Sequence, residues 1–207
     1  MPRQIVQSLQ RSAAIKQAFI QHTETVQSLY IGRRHIKAVC LPVRGFTASC
    51  SHKDLHCCVG SFLGHEYSLV YREDDDASFV IVDIELPIQQ PLHHFFIIPT
   101  DLPRPLFDRI MLLHSHHRHV PLAKGKGCSL AFLQQYSALA RPEHFLTTAA
   151  IITSTLAHYI EIIKQPYIYE LHGKHLYVYA YDSTLPTRRT LDAQVSAASV
   201  IANALVT

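Results

Sequence analysis

The chain has 207 residues, 48% of them hydrophobic, with 19 Lys and Arg set against 16 Asp and Glu for a formal net charge of +3. That is enough apolar material for one substantial core without covalent or metal staples, and the basic charge is too small and too scattered for a nucleic-acid-binding surface. Five cysteines, an odd number, argue against a closed disulfide framework and for reduced thiols in a cytoplasmic protein, while the apolar runs fall far short of the roughly 20 residues that span a bilayer.

Residues 1–31 read as an N-terminal helix at the periphery of the fold, because Ile5, Leu9, Ile15, Phe19 and Val26 can share a broad apolar face. Arg3, Arg11 and Lys16, with no acid before Glu24, also give residues 1–23 the composition of a targeting segment. The ordinary helix is the preferred reading. Gly32 and Arg33-Arg34 stop it, and residues 35–43 look extended.

The clearest β signal comes next. Tyr67, Leu69 and Tyr71 lie on one face of a strand, residues 73–77 form an acidic turn, and Val80, Val82, Ile84 and Leu86 line the return strand. Asp74-Asp75-Asp76 lacks the spaced ligands and central Gly of a calcium loop. Pro87 and Pro91 bracket a connection to an aromatic and β-branched strand over 92–98. These three strands are expected to form an antiparallel meander.

A proline-rich loop over 100–105 leads into the apolar stretch 106–113. Pro142 then opens one long helix over 143–164, where Phe145, Ala149, Ile152, Leu156, Tyr159 and Ile163 recur at helical spacing without Gly or Pro. Pro166 ends it. A second hairpin turns at His172-Gly173-Lys174-His175, with Tyr167, Tyr169 and Leu171 on one face and Ile168, Glu170 and His172 on the other. A closing helix over 191–205, capped by Thr190, carries the stripe Leu191, Val195, Ala198, Ile201 and Leu205. The expectation is a single α+β domain over 1–207, its antiparallel sheet built from two hairpins and packed against two or three helices.

The passage Leu106-Phe107-Asp108-Arg109-Ile110, the stretch 136–145 leading into an apolar helix, and the Tyr-rich hairpin over 168–181 resemble small uncharacterised conserved proteins of Saccharibacteria-type bacteria. The resemblance covers roughly the last two-thirds of the chain. It implies a soluble α+β architecture and transfers no site, and the histidine run and the Gly-containing basic stretch 124–127 depart from it.

Chemistry concentrates in histidine, of which there are 15. The side chain titrates near neutral pH and is the commonest transition-metal ligand. Cys50, His52, His56, Cys57 and Cys58 form a soft and borderline donor set of the kind zinc prefers. On a strand, same-face neighbours stand about 6–7 Å apart, so the set closes on one ion only by bending or by recruiting His114 or His116. The alternative, which is favoured, makes Cys57 and Cys58 small buried hydrophobes beside Val59. In His114-Ser115-His116-His117-Arg118-His119 an extended backbone pairs His114 with His116, whereas a helix brings His114 and His117 together. With no thiol or carboxylate to complete a site there, a surface turn is preferred.

Cys128 follows Gly125-Lys126-Gly127, which lacks the spacing of a phosphate-binding loop, and Asp83 with Glu85 reads as a solvent-facing pair. Neither is assigned catalysis. Tyr177, Tyr179 and Tyr181 offer a contact surface, since tyrosine is enriched where proteins meet. The function expected is therefore that of a soluble, non-enzymatic binding protein without a cofactor, acting through a protein partner or self-association, with no nucleic acid and no membrane span. The alternative is a zinc-binding protein using the segment 50–58, with or without the 114–119 run.

Overall fold

The computed structural model describes residues 2–31, 45–47, 53–73, 77–123, 127–181 and 185–206. The fold is α+β, built on one nine-stranded sheet in which every pairing is antiparallel. The strands are β1 (Ser28–Ile31), β2 (Lys53–Phe62), β3 (His65–Glu73), β4 (Ser78–Glu85), β5 (Leu92–Pro99), β6 (Arg118–His119), β7 (Tyr136–Ala140), β8 (Ile168–Gly173) and β9 (His175–Ala180). Their spatial order is β1-β2-β3-β4-β9-β8-β5-β7-β6.

Both hairpins read from the sequence are present, β3 with β4 and β8 with β9. The second turns at Gly173, whose φ of +66° is a conformation a side chain disfavours. The sheet is larger than two hairpins, however, and the expected meander of β3, β4 and β5 does not form. The β8–β9 hairpin lies between β4 and β5, so the Pro87 and Pro91 connection crosses over two strands. Strand identity follows from local alternation; strand order does not.

Helices cover the sheet unequally. On one face α1 (Pro2–Thr25), α3 (Leu130–Gln135), α5 (Ser154–Ile162) and α6 (Arg188–Val206) bury Ile15, Phe19, Phe132, Leu156, Leu191 and Ile201 against Leu69, Val82, Tyr169 and Val178. On the other face α2 (Arg104–Leu113) and residues 45–47 cover Val70, Ile81, Phe96 and Tyr179 with Leu106, Ile110 and Phe46. The N-terminal helix is thus integral rather than peripheral. Phe19 is fully buried, and its carbonyl accepts the Cys58 thiol at 3.8 Å. Leu9, placed on the apolar face by the sequence, is exposed.

The long helix expected over 143–164 is broken. A 3-10 turn (Pro142–His144) and α4 (Phe145–Ile151) end at Ile152, and α5 departs at 76°. The cause is Thr153, whose hydroxyl accepts the Leu156 N–H at 3.2 Å and so caps a new helix inside an unbroken apolar periodicity. Among the described residues no single helix is long and apolar enough to cross a membrane. At the start of α6 the Thr187 and Thr190 hydroxyls each accept the other's backbone N–H, at 3.2 and 2.9 Å. The cap therefore begins at Thr187, three residues before the sequence placed it.

Candidate metal centre

The site lies on the sheet face covered by α2. Alternation along β5 sends Phe95 and Ile97 into the larger core and turns Phe96 and Ile98 toward α2, and His94 shares the side of Phe96, with ring centroids 4.8 Å apart. Pro103 and Pro105 start α2, which seats Leu106 and Ile110 on this face and ends at His114, whose N–H still reaches the Ile110 carbonyl. A tight turn follows, closed by the His117 N–H on the His114 carbonyl at 2.9 Å. It folds both imidazoles back over β5.

Three rings converge there. Centroid separations are 4.5 Å for His94 and His114, 5.0 Å for His94 and His117, and 5.2 Å for His114 and His117, all nearly edge-on. One ring nitrogen from each lies within 4.8 Å of the others. Tetrahedral zinc, with Zn–N near 2.0–2.1 Å, sets its ligand nitrogens about 3.3 Å apart. The nitrogens would have to draw together by up to about 1.5 Å to meet an ion at that geometry.

Hydrogen bonding decides which nitrogens are free. Glu170 on β8, 1% exposed, takes the His94 Nε2–H on Oε1 at 2.8 Å, while its Oε2 accepts the Phe46 N–H at 2.9 Å and the Tyr179 hydroxyl. Burial pushes the Glu170 carboxyl up, but these donors outweigh it and hold the group below the usual carboxylate range. Glu170 Oε1 thereby fixes a proton on His94 Nε2, so that Nδ1 is the nitrogen left for a ligand. His117 Nε2 meets the His94 carbonyl at 3.2 Å, so its proton is placed too and Nδ1 carries the lone pair.

His117 Nδ1 and His114 Nε2 are both buried and have no hydrogen-bond partner among the described residues. His117 is 2% exposed. Burial first, then the neighbouring His94, lowers both imidazoles to about 4. Three clustered imidazoles, two of them with a buried nitrogen that lacks a partner among the described residues, are the kind of donor set a borderline metal ion takes. His172, exposed at the tip of the β8–β9 hairpin, stands with its ring 4.8 Å from that of His94.

The other residues singled out by the sequence are dispersed. Cys50 and His52 lie outside the described residues, as do the extended stretch 35–43 and the acidic triplet 74–76. Cys57 and Cys58 are fully buried on opposite faces of β2, one in each core cluster, so the two thiols cannot share an ion. His56 is buried and pairs through Nδ1 with the Tyr30 hydroxyl at 2.8 Å. His116 is exposed, and of the ligands expected from the sequence His114 alone joins the cluster among the described residues. Tyr177 and Tyr179 are 4% and 0% exposed and Tyr181 is half-buried, all packed into the core under α2. They form an interior wall and not a contact surface.

His94 and Glu170 were not singled out. The signal for Glu170 was its assignment to the same hairpin face as His172; His94 carried none beyond its place in an alternating strand.

Fold and site together define an α+β protein with a single antiparallel sheet and a three-histidine cluster backed by a buried carboxylate. Neither a protein-family model nor a curated protein sequence matches the chain. The crystal structure of the mycobacterial trehalose monomycolate transport factor A, TtfA, is similar over 94% of this chain and 94% of its own, with a TM-score of 0.57 and 9% sequence identity. That likeness is one of fold.

Proposed function

We propose that this protein binds a divalent transition metal, zinc foremost, through His94, His114 and His117. The observation that carries the reading is the pair of buried, partnerless ring nitrogens on His114 and His117 beside His94. A buried polar atom without a partner costs about 1–3 kcal/mol, and an ion placed among these rings removes that cost at both. Glu170 supplies the carboxylate–histidine arrangement that commonly orients metal-bound imidazoles. Three imidazoles suit zinc, copper or nickel better than magnesium or calcium. The fourth position is left to water or to His172.

This reading keeps the zinc-binding alternative and moves it from the segment 50–58 to the α2 end of β5. The test is a competition titration with a zinc-chelating dye. One zinc per chain is expected, with His117→Ala and His94→Ala each weakening binding at least 100-fold and Cys57→Ala leaving stoichiometry unchanged. Unaltered affinity in folded His94→Ala and His117→Ala protein overturns it.

A further inference from the structure

We propose that a cavity of about 250 Å³ on the opposite face of the sheet is a binding site for a small amphiphilic anion, an apolar body carrying one carboxylate. The cavity lies between α1, the first turns of α6 and the end of the sheet where β4 starts and β9 finishes. Its walls are apolar or aromatic, from Val80, Ala180 and Leu191 with the rings of Tyr71 and Tyr167. Those walls belong to the larger core cluster, so the site is separate from the histidine cluster, which sits with Phe96 under α2.

Among the described residues Arg11 and Arg189 are the charged groups of the lining, and no acidic side chain is part of it. The Arg11 guanidinium donates to the Tyr71 hydroxyl at 3.2 Å and to Ser78 Oγ at 3.3 Å, and that hydroxyl donates in turn to Glu73 Oε1 at 3.1 Å, so Glu73 acts on Arg11 through the phenol and not in a direct ion pair. Arg188 next door is spent on Asp192 at 3.3 Å, whereas Arg189 is exposed and makes no ion pair among the described residues. Two guanidinium groups on the lining of a largely apolar pocket, neither in a direct ion pair among the described residues, are complementary to an anionic head with an apolar tail. The α6 N-terminus adds its partial positive charge on the same side.

The floor is rigid as well as apolar. Gln194 is buried and its amide donates to both the Val80 and Val178 carbonyls at 2.9 Å, tying α6 across β4 and β9. A space of about 250 Å³ suits a small carboxylate with a short apolar body.

Isothermal titration with sodium octanoate tests the proposal, with octylammonium as the charge-reversed probe. One saturable octanoate site is expected. It should weaken at least tenfold in the double variant Arg11→Gln with Arg189→Gln, and at least tenfold in Ala180→Leu, which fills the cavity at the half-buried β9 end. Octylammonium should show no saturable binding. If octanoate does not saturate, or binds the folded double variant as tightly as the parent, or if octylammonium binds equally well, the proposal fails. Zinc affinity should be the same in all these variants, which separates this outcome from that of the metal centre.

Discussion

Replacing Glu170 by Gln tests the logic of the metal centre without removing a ligand. The carboxylate accepts three donors, His94 Nε2–H on one oxygen and the Phe46 N–H and Tyr179 O–H on the other. A glutamine that keeps its carbonyl at Phe46 and Tyr179 must set its NH₂ against His94 Nε2. Two donors would then face each other unless His94 moves its proton to Nδ1, the nitrogen needed by the ion. Hydrogen bonds to a charged group are worth about 1.5–3 kcal/mol and neutral ones about 0.5–1.5, so exchanging charged for neutral partners should cost about 1–3 kcal/mol of stability. Zinc affinity should fall about 10- to 100-fold, the usual penalty for losing the group behind a metal-bound histidine, equivalent to about 1.4–2.7 kcal/mol. The assays are thermal unfolding of metal-free protein and dye competition for zinc. A folded Glu170→Gln protein with parental zinc affinity would refute the tautomer argument, because it would show that the proton on His94 does not depend on Glu170.

Two further predictions concern the scaffold. Thr153→Ala removes the hydroxyl that caps α5 and should lower stability by about 1 kcal/mol, measured by urea unfolding; no loss would mean that packing alone sets the break at Ile152. Burial raises the Asp83 carboxyl, with the His175 hydrogen bond at 2.9 Å only partly opposing it. A carboxyl raised in the folded state favours the native fold below its unfolded value, and that contribution is lost as pH climbs through the folded value. Asp83→Asn should therefore gain stability relative to the parent as pH rises from about 4 toward neutrality, followed by thermal melts across that range; a variant that loses ground over the same interval contradicts the sign.

Legibility in the sequence tracks the range of the interaction concerned. The two hairpins and the closing helix rest on contacts between near neighbours, so alternation around Tyr67 to Tyr71 and the positive φ at Gly173 were enough to place them. Thr153 escaped notice because its cap competes with an apolar repeat that continues past it unchanged. β2 was obscured differently. Its Cys and His residues look like ligands in one dimension, yet β2 is flanked by β1 and β3 and covered on both faces, which buries Cys57 and Cys58 apart from each other. His114 and His117 came together only in the helical alternative, with His114 and His116 the named ligands and a surface turn preferred, whereas a turn after α2 is what joins them. His94 and Glu170 were not legible, because they meet only through the β5–β8 pairing, where Phe96 opposes Glu170, and no local pattern announces that β8 rather than β4 lies beside β5.

That topology also fixes what metal removal should do. In a small zinc module the ion stands in for a core, and chelation unfolds the chain. Here both faces of the sheet are closed by apolar side chains that need no ion, from Phe19 and Leu191 on one side to Ile110 and Phe46 on the other, so metal-free protein should keep its fold. An ion held by the three histidines would instead tie the end of α2 to β5 and, through Glu170, to the β8–β9 hairpin. At free zinc about 1,000 times the dissociation constant, binding to the folded state alone contributes about 4 kcal/mol. For a chain of this length each kcal/mol moves the midpoint by about 2–4 °C, so chelation should lower Tm by about 8–16 °C while far-ultraviolet circular dichroism stays native. Complete unfolding on chelation would mean that the core is not self-sufficient, and a Tm indifferent to saturating zinc would mean that the three rings hold no ion.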